Sequence, residues 1–179
     1  MLPWISSISS YQNKEKKLNS SSWIQLATVA IDNTPRVRTV VFRGWTDSYE
    51  MKIITDIRSD KISELKSNKN VEICWLFNKS RCQFRFRGSA TIDLGPDTYY
   101  QWKKLDIKSK SMWSWPSPGK RYDPSQFENK FSMNCDDMDN FILLKINISH
   151  VDQLLLAKPF HIRKRWLKNN NWKEERINP

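Results

Sequence analysis

The chain has 179 residues, with 30 lysines and arginines against 19 aspartates and glutamates, so its formal net charge is +11. This length is typical of a single domain, and we expect one domain over residues 1–179. Three cysteines are too few for a disulfide scaffold, and the lack of a run of about 18 apolar residues excludes a membrane-spanning helix. The positive charge indicates a nucleic acid, a membrane surface or a phosphorylated small molecule as partner, unless the lysines serve only solubility.

The first residues do not resemble an export signal. The apolar segment from Met1 to Ile5 is shorter than the apolar region of a signal peptide, and serines and lysines follow it. Free cysteines are typical of reducing compartments. Together these features predict a cytoplasmic protein.

Apolar residues near the start recur at helical spacing. We expect a helix over residues 3–18 and a loop to residue 22, so that residues 1–22 form an N-terminal extension. Beyond it, alternating and β-branched stretches predict short strands, joined mostly by short turns and therefore antiparallel. The predicted strands cover residues 23–31, 36–45, 51–55, 71–77, 82–92, 141–148, 151–156, 160–167 and 172–177.

Helical periodicity interrupts the strands at two places. Ser59 is a plausible N-cap for a short helix over residues 59–66, and a second helix begins near Pro96. The apolar stripe expected on the second helix consists of Tyr99, Trp102, Leu105 and Ile107. Residues 108–135 have few periodic apolar positions and are expected to form a long loop, which in a compact domain is usually functional or disordered.

Short strands with inserted helices favour a mainly β fold. We expect a small antiparallel β-barrel with two or three peripheral helices. Trp23, Trp75 and Trp166 are expected to belong to the barrel. The sequence has only four glycines and contains neither a G-x-G-x-x-G turn nor a P-loop. These absences argue against a βαβ nucleotide-binding domain.

Three arginines stand in one predicted strand that is otherwise apolar and β-branched. They are Arg36, Arg38 and Arg43. A guanidinium presents a planar set of donors that suits phosphate. The alternative is a solvated strand face, with pairing to Asp32 or Glu50.

A second cationic group surrounds the predicted start of the helix at residue 59. Arg58, Ser59 and Lys61 directly follow a strand, and a helix N-terminus offers free N–H groups to an anion. These residues would form a phosphate site. The alternative is an ordinary helix cap with solvated neighbours.

Tryptophans and prolines are concentrated in residues 111–120. Flat side chains such as Trp113 and Trp115 could stack on an aromatic ligand, seal a subunit contact or plug one end of the barrel. Elsewhere, His150 and His161 have no legible pairing with a nucleophile. An enzyme with this sequence would therefore take its chemistry from a cofactor.

Several motifs occur together: R-x-V-V-x-R from residue 38, T-D-x-R-S-x-K from residue 55, Gln83 at the head of an alternating strand, and Ser-Trp-Pro-Ser-Pro-Gly at residues 114–119. They resemble the FMN-binding split-barrel proteins related to pyridoxamine 5′-phosphate oxidase, in particular the cyanobacterial and plant branch. The resemblance implies a split β-barrel and a homodimer with FMN at the subunit interface. It also implies an oxidoreductase that transfers hydride from a substrate to the flavin, with reoxidation by oxygen.

The resemblance implies roles for individual residues, although no catalytic residue and no metal. The implied cofactor-binding residues are Arg38, Thr39, Val40, Val41, Arg43, Ile54, Thr55, Arg58, Ser59, Lys61, Gln83, Trp115, Ser117 and Arg165. The implied substrate-binding residues are Arg43, Tyr100, Lys104, His161 and Arg163. Asp60 stands where the family has an arginine, and His161 and Arg163 exchange the family's two residue types. The substrate side is therefore more altered than the flavin side, and pyridoxamine 5′-phosphate is a candidate substrate.

Two other functions remain open at this point. A flavin carrier or sensor would bind the same cofactor without turnover. A basic nucleic-acid-binding β-barrel would account for the net charge of +11. The aromatic residues are spread along several strands and are not grouped on one basic face, which disfavours nucleic acid.

Overall fold

The computed structural model describes residues 2–127 and 138–179. Within these residues there are eight strands and four α-helices. The strands are β1 (Trp23–Val29), β2 (Pro35–Trp45), β3 (Met51–Asp56), β4 (Asn70–Phe77), β5 (Cys82–Asp93), β6 (Phe141–Leu155), β7 (Ile162–Leu167) and β8 (Glu174–Ile177). The helices are α1 (Pro3–Glu15), α2 (Asp60–Ser67), α3 (Pro96–Lys103) and α4 (Ile107–Ser111). Among the described residues, no helix has the length and apolar character needed to cross a bilayer.

The first six strands form a closed barrel. Neighbouring strands are antiparallel in the order β3-β2-β1-β4-β5-β6, and β3 also pairs with β6, which closes the ring. Outside the ring, β7 and β8 continue the sheet from β6. The predicted small antiparallel barrel is confirmed, although the described part of the chain has four helices where two or three were expected.

The strand β6 belongs both to the barrel and to its extension. Residues 141–146 pair with β3, and residues 150–155 pair with β7. The two strands predicted here are therefore one strand, in which the register against β5 shifts beside Gly88. Glycine is required at this point, because a Cβ atom on Gly88 would lie 2.1 Å from the carbonyl oxygen of Asn147.

Aromatic side chains fill the barrel core. Inward-facing residues alternate along each strand, and they include the fully buried Trp75, Phe84 and Phe86. Helix α1 packs on this core through the fully buried Trp4, whose ring centroid lies 5.8 Å from that of Phe86. Burying an apolar side chain of this size stabilises a fold by about 1.5–3 kcal/mol. Trp23, which we expected in the barrel, is 52% exposed because it falls on the outward phase of β1.

The apolar stripe expected after β5 is only partly confirmed. Trp102 of α3 is buried and packs edge-to-face on Phe141 of β6, which anchors the helix. Tyr99 and Ile107 are exposed. The stripe does not continue because α3 ends before Ile107, which begins a separate helix.

Part of the loop predicted over residues 108–135 is helical. Helix α4 begins after Asp106, whose carboxylate accepts a hydrogen bond from the backbone N–H of Ser109 at 2.6 Å. A 3₁₀ turn follows at Met112–Ser114. Both pieces are too short for their apolar spacing to be recognised as helical. Residues 128–135 of the predicted loop lie outside the described residues.

Candidate functional site

A cavity of about 360 Å³ lies against β2 and β3. The barrel side of its wall consists of Thr39, Val40, Val41, Arg43, Ile54, Thr55, Asp56 and Lys61. The opposite side consists of Leu105, Ser109, Met112, Trp113 and Pro118. All the barrel-side residues except Asp56 belong to the predicted cofactor-binding set, so the structure brings this part of the set together.

An ammonium group and two hydroxyls meet where α2 borders the cavity. The Nζ atom of Lys61 donates hydrogen bonds to Oγ1 of Thr55 and Oγ of Ser59, each at 2.9 Å. Ser59 holds the predicted N-cap position of α2, but its hydroxyl donates to the carbonyl oxygen of Asp56 and caps no N–H. Burial, together with repulsion from Arg38, lowers the pKa of Lys61. An anion beside this ammonium would offset both the loss of hydration and the repulsion from Arg38.

Arg43 lines the same cavity from β2. Among the described residues its guanidinium has no hydrogen-bond or ion-pair partner. The residue is exposed to solvent, and partial desolvation by the surrounding protein lowers the pKa of its guanidinium. Because arginine nevertheless stays charged at neutral pH, this position favours a second anionic group.

Arg38 lies next to Lys61 but outside the cavity wall. Its Nη2 atom donates to the carboxylate of Glu64 at 2.7 Å, and its Nη1 atom donates to the hydroxyl of Thr28. Glu64 is buried and also accepts a hydrogen bond from Thr28 at 2.5 Å. The charge of Arg38 is therefore already balanced by a buried carboxylate.

Arg58 is also outside the cavity wall. Its Nε and Nη2 atoms donate to the two carboxylate oxygens of Asp56, at 3.0 and 2.6 Å, and these bonds raise the pKa of Arg58. The Nη2 atom also donates to the carbonyl oxygens of Trp115 at 3.0 Å and Trp113 at 3.5 Å. The end of β3 is thus tied to the segment that covers the cavity.

Two tryptophans of that segment take different positions. Trp113 lines the cavity and packs edge-to-face on Phe141, with 4.8 Å between ring centroids. Its indole N–H is buried and has no hydrogen-bond partner among the described residues, so Trp113 presents apolar ring surface to the cavity. Trp115 is exposed and, like Ser117, lies outside the cavity wall, whereas Pro118 is part of it. The sequence offered Trp113 only as a member of the tryptophan-rich segment.

The remaining implied cofactor ligands, Gln83 and Arg165, lie on a different surface, formed by β5, β6 and β7. Gln83 of β5 and Arg163 of β7 both pair with Leu154 of β6, which lies between them. Two residues before Leu154 on the same face of β6, Asp152 pairs with Arg85 of β5 and with Arg165 of β7. The Oδ2 atom of Asp152 accepts hydrogen bonds from Nη2 of Arg85 at 2.8 Å and from Nη2 of Arg163 at 3.4 Å.

Carboxylates partner the arginines of this second surface, and Arg85 and Arg163 share that of Asp152. Burial opposes the ionisation of Asp152, but the hydrogen bond from Arg85 and the proximity of His150 outweigh it and lower the pKa of Asp152. Arg165 donates to the carboxylate of Glu175 at 2.6 Å. Each arginine of this surface therefore has a carboxylate partner.

Most of the implied substrate residues are not at the cavity. Tyr100, Lys104 and His161 are exposed and do not line it. The Nζ atom of Lys104 lies 4.2 Å from the ring centroid of Tyr100, and His161 contacts the carbonyl oxygen of Ala157 at 3.3 Å. Within one chain, only Arg43 of the implied substrate set reaches the cavity wall.

The cavity suits a flavin that carries a phosphate. Its volume falls within the range of about 300–1,000 Å³ that is usual for small-molecule sites. Val41, Met112 and Trp113 offer apolar surface to a ring system. Lys61 and Arg43 supply the positive charge that a phosphate requires.

Related sequences identify the family of the chain. Residues 1–93 match the model of a family described as pyridoxamine 5′-phosphate oxidase, FMN-binding domain. Over 192 residues the chain is 31% identical to pyridoxine/pyridoxamine 5′-phosphate oxidase 2 of Arabidopsis thaliana, covering 99% of this chain and 97% of that protein. It is 30% identical over 111 residues to pyridoxine/pyridoxamine 5′-phosphate oxidase of Rhizobium leguminosarum bv. trifolii, covering 61% of this chain and 52% of that protein.

Solved structures agree with the related sequences. A pyridoxamine 5′-phosphate oxidase-related, FMN-binding protein from Nostoc punctiforme has a TM-score of 0.91 and 32% identity, covering 100% of this chain and 99% of that chain. PhzG from Burkholderia lata, solved in complex with tetrahydrophenazine-1-carboxylic acid, has a TM-score of 0.89 at 15% identity, covers 100% of this chain and 94% of that chain, and shows the fold alone. The predicted split barrel is confirmed. The chain belongs to the pyridoxamine 5′-phosphate oxidase family of FMN-binding domains, and its cofactor is FMN.

Proposed function

We propose that this protein is an FMN-dependent oxidoreductase acting on a small phosphorylated substrate. One observation carries the proposal: the cavity presents two cations, Lys61 and Arg43, and neither forms a direct ion pair with a carboxylate among the described residues, although Asp56, Glu64 and Asp60 act on Lys61 from a longer distance. When bound, FMN supplies the hydride acceptor that no side chain here provides, with oxygen as the final oxidant. Two separate cations allow one anionic group on the cofactor and another on the substrate.

We assign the phosphate of FMN to Lys61. The ammonium is oriented by the hydroxyls of Thr55 and Ser59, so a phosphate would meet one cation and at least one hydroxyl donor in a fixed arrangement. Arg38 is paired with Glu64 outside the wall and is not part of this assignment. The role of Lys61 is to bind and orient the cofactor.

We assign Arg43 to an anionic group of the substrate. The names of the relatives suggest pyridoxamine and pyridoxine 5′-phosphate as the first substrates to test. A phosphate of either would give the guanidinium of Arg43 the partner that it lacks. Arg43 would then hold the substrate in one orientation.

We propose that a second copy of the chain completes the site. Gln83, Arg163 and Arg165 lie on a surface apart from the cavity, so they would reach a flavin bound in the cavity of a partner subunit. Trp23 and Leu76 are 52% and 49% exposed on β1 and β4. Exposed apolar side chains of this size favour a contact between subunits, and a two-fold dimer would form two equal sites.

A visible spectrum of the purified protein and a titration with FMN test cofactor binding first. We expect flavin absorption and saturable binding. Turnover is then tested with pyridoxamine and pyridoxine 5′-phosphate under oxygen, with hydrogen peroxide as the measured product. A flavin-loaded protein that oxidises neither would favour the carrier or sensor. A colourless protein that takes up no FMN, but binds polynucleotide with steep salt dependence, would refute the proposal.

A further inference from the structure

We propose that Arg58 is a positioning residue that holds the roof of the cavity and thereby sets how slowly the flavin dissociates. The roof segment is residues 112–118, which contributes Met112, Trp113 and Pro118 to the cavity wall. The inference rests on the proposed function, because it takes this cavity as the flavin site.

The contacts of Arg58 lead to the roof segment. The guanidinium donates to the carbonyl oxygens of Trp113 and Trp115, which lie 55 and 57 positions later in the chain. Its bidentate bond to Asp56, and a bond of 2.8 Å from its own backbone N–H to Oδ1 of Asp56, fix it to the end of β3. Arg58 therefore bridges the two walls of the cavity from outside.

Few other polar contacts hold the roof segment. In residues 2–127 and 138–179, Asn140 provides the one further side-chain hydrogen bond to it from another element, from Nδ2 to the carbonyl oxygen of Trp113 at 3.0 Å. Hydrogen bonds formed within the segment are local. Without Arg58, the segment would depend on Asn140 and on the ring contact between Trp113 and Phe141.

The charge environment separates Arg58 from the residues assigned to phosphate. Its partner Asp56 neutralises it within 2.6 Å, whereas Lys61 contacts only hydroxyls. A guanidinium that is already paired can donate its remaining N–H groups to neutral carbonyls without drawing an anion toward it. This arrangement suits structural support better than recognition of a phosphate.

The test compares FMN with riboflavin, which lacks the phosphate, in the variant Arg58→Ala. Dissociation is followed by the recovery of flavin fluorescence, and access to the bound flavin by iodide quenching. Because a charged hydrogen bond affects an equilibrium about 10- to 100-fold, we expect both flavins to dissociate about tenfold faster, by the same factor. Iodide should quench the bound flavin more readily. A residue that served only the stability of the fold would change neither measurement in folded protein.

Two variants serve as matched controls. Lys61→Met removes a cation at the cavity and should weaken FMN while leaving riboflavin nearly unchanged. Arg36→Ala removes a surface arginine whose partner is Asp32, at 3.3 Å, and should change neither flavin. Arg58→Lys keeps the charge, but an ammonium cannot span both oxygens of Asp56 and two carbonyls, so it should also speed the loss of both flavins.

Three results would overturn the inference. A loss confined to FMN in Arg58→Ala would place Arg58 at the phosphate. If both flavins dissociate from folded Arg58→Ala at the wild-type rate, the bridge does not hold the roof segment. Folded Arg58→Lys gives the same test if the alanine variant does not fold. A wild-type protein that binds neither flavin would refute the proposed function and this inference with it.

Discussion

The cavity wall and the outer surface of β5 to β7 both carry cations, but they balance the charge differently. On the outer surface each arginine is paired with a carboxylate on β4, β6 or β8. At the cavity, Lys61 contacts only hydroxyls, and Arg43 contacts no partner among the described residues. A cation paired with a carboxylate is held in a fixed position within the sheet. A cation without such a partner can still form a favourable ion pair with an anionic ligand. Within one chain, the comparison separates cations already paired with protein carboxylates from cations that lack such a partner.

The largest expected effect comes from removing the cation at the α2 side of the cavity. Lys61→Met should weaken FMN about 100-fold, because a charge-assisted contact with phosphate is lost. Fluorescence titration with FMN and riboflavin measures the effect. An equal loss for both flavins would contradict the assignment of Lys61 to the phosphate.

The second variant tests the other unpaired cation. Arg43→Met should raise the KM for pyridoxamine 5′-phosphate about tenfold or more, with FMN affinity changed much less, because its partner is assigned to the substrate. Steady-state peroxide release and FMN titration give the two quantities. If FMN affinity falls as far as KM rises, Arg43 belongs to the cofactor.

The third variant tests the paired surface. Asp152→Asn should lower the free energy of unfolding by about 1–2 kcal/mol, since Arg85 and Arg163 lose a buried carboxylate but remain about one-third exposed. The pKa of Asp152 is lowered in the folded state, so its contribution is present above the unfolded pKa of about 3.9 and is lost as the pH falls through the folded value. Urea denaturation should therefore separate the two proteins at pH 7 and bring them closer at strongly acidic pH. A constant difference across this range would exclude ionised Asp152 as the cause.

The smallest expected effect is the pH dependence of FMN binding. Only the ammonium form of Lys61 attracts phosphate, and its pKa is lowered in the flavin-free protein. The affinity for FMN should therefore decrease a few-fold as the pH rises toward the pKa of Lys61, which lies below the ordinary 10.5. Bound phosphate should raise the pKa of Lys61 again. Titrations at increasing alkaline pH measure the decrease. The same decrease in Lys61→Met would exclude Lys61 as its origin.

The alternation of apolar residues was enough to predict the barrel strands and the core. It placed Trp75 correctly but Trp23 wrongly, because composition does not reveal which phase of a strand faces inward. The single strand β6 was predicted as two because the register shift beside Gly88 interrupts the alternation. Short-range patterns cannot distinguish such a shift from a turn.

The candidate site was predictable only where its residues are close in sequence. The β2 and β3 positions and Lys61 lie within motifs and do meet at the cavity. Neither the pairing of Arg38 with Glu64 nor the contact of Arg58 with Trp115 was predictable, because these depend on how distant segments pack. For the same reason the sequence could not decide which of Trp113 and Trp115 lines the cavity, and only Trp113 does.

Gly88 has a consequence for how proteins with this fold can change. It fixes the register of β5 against β6. The first part of β6 pairs with β3 and closes the barrel, and its last part carries Asp152 on the outer surface. A side chain at this point would collide with Asn147 and shift one half of the long strand against the other. The distance between the outer surface and the cavity is therefore held constant by the pairing of β5 with β6. One glycine thus helps to set the spacing between the arginines of the outer surface and the cations of the cavity.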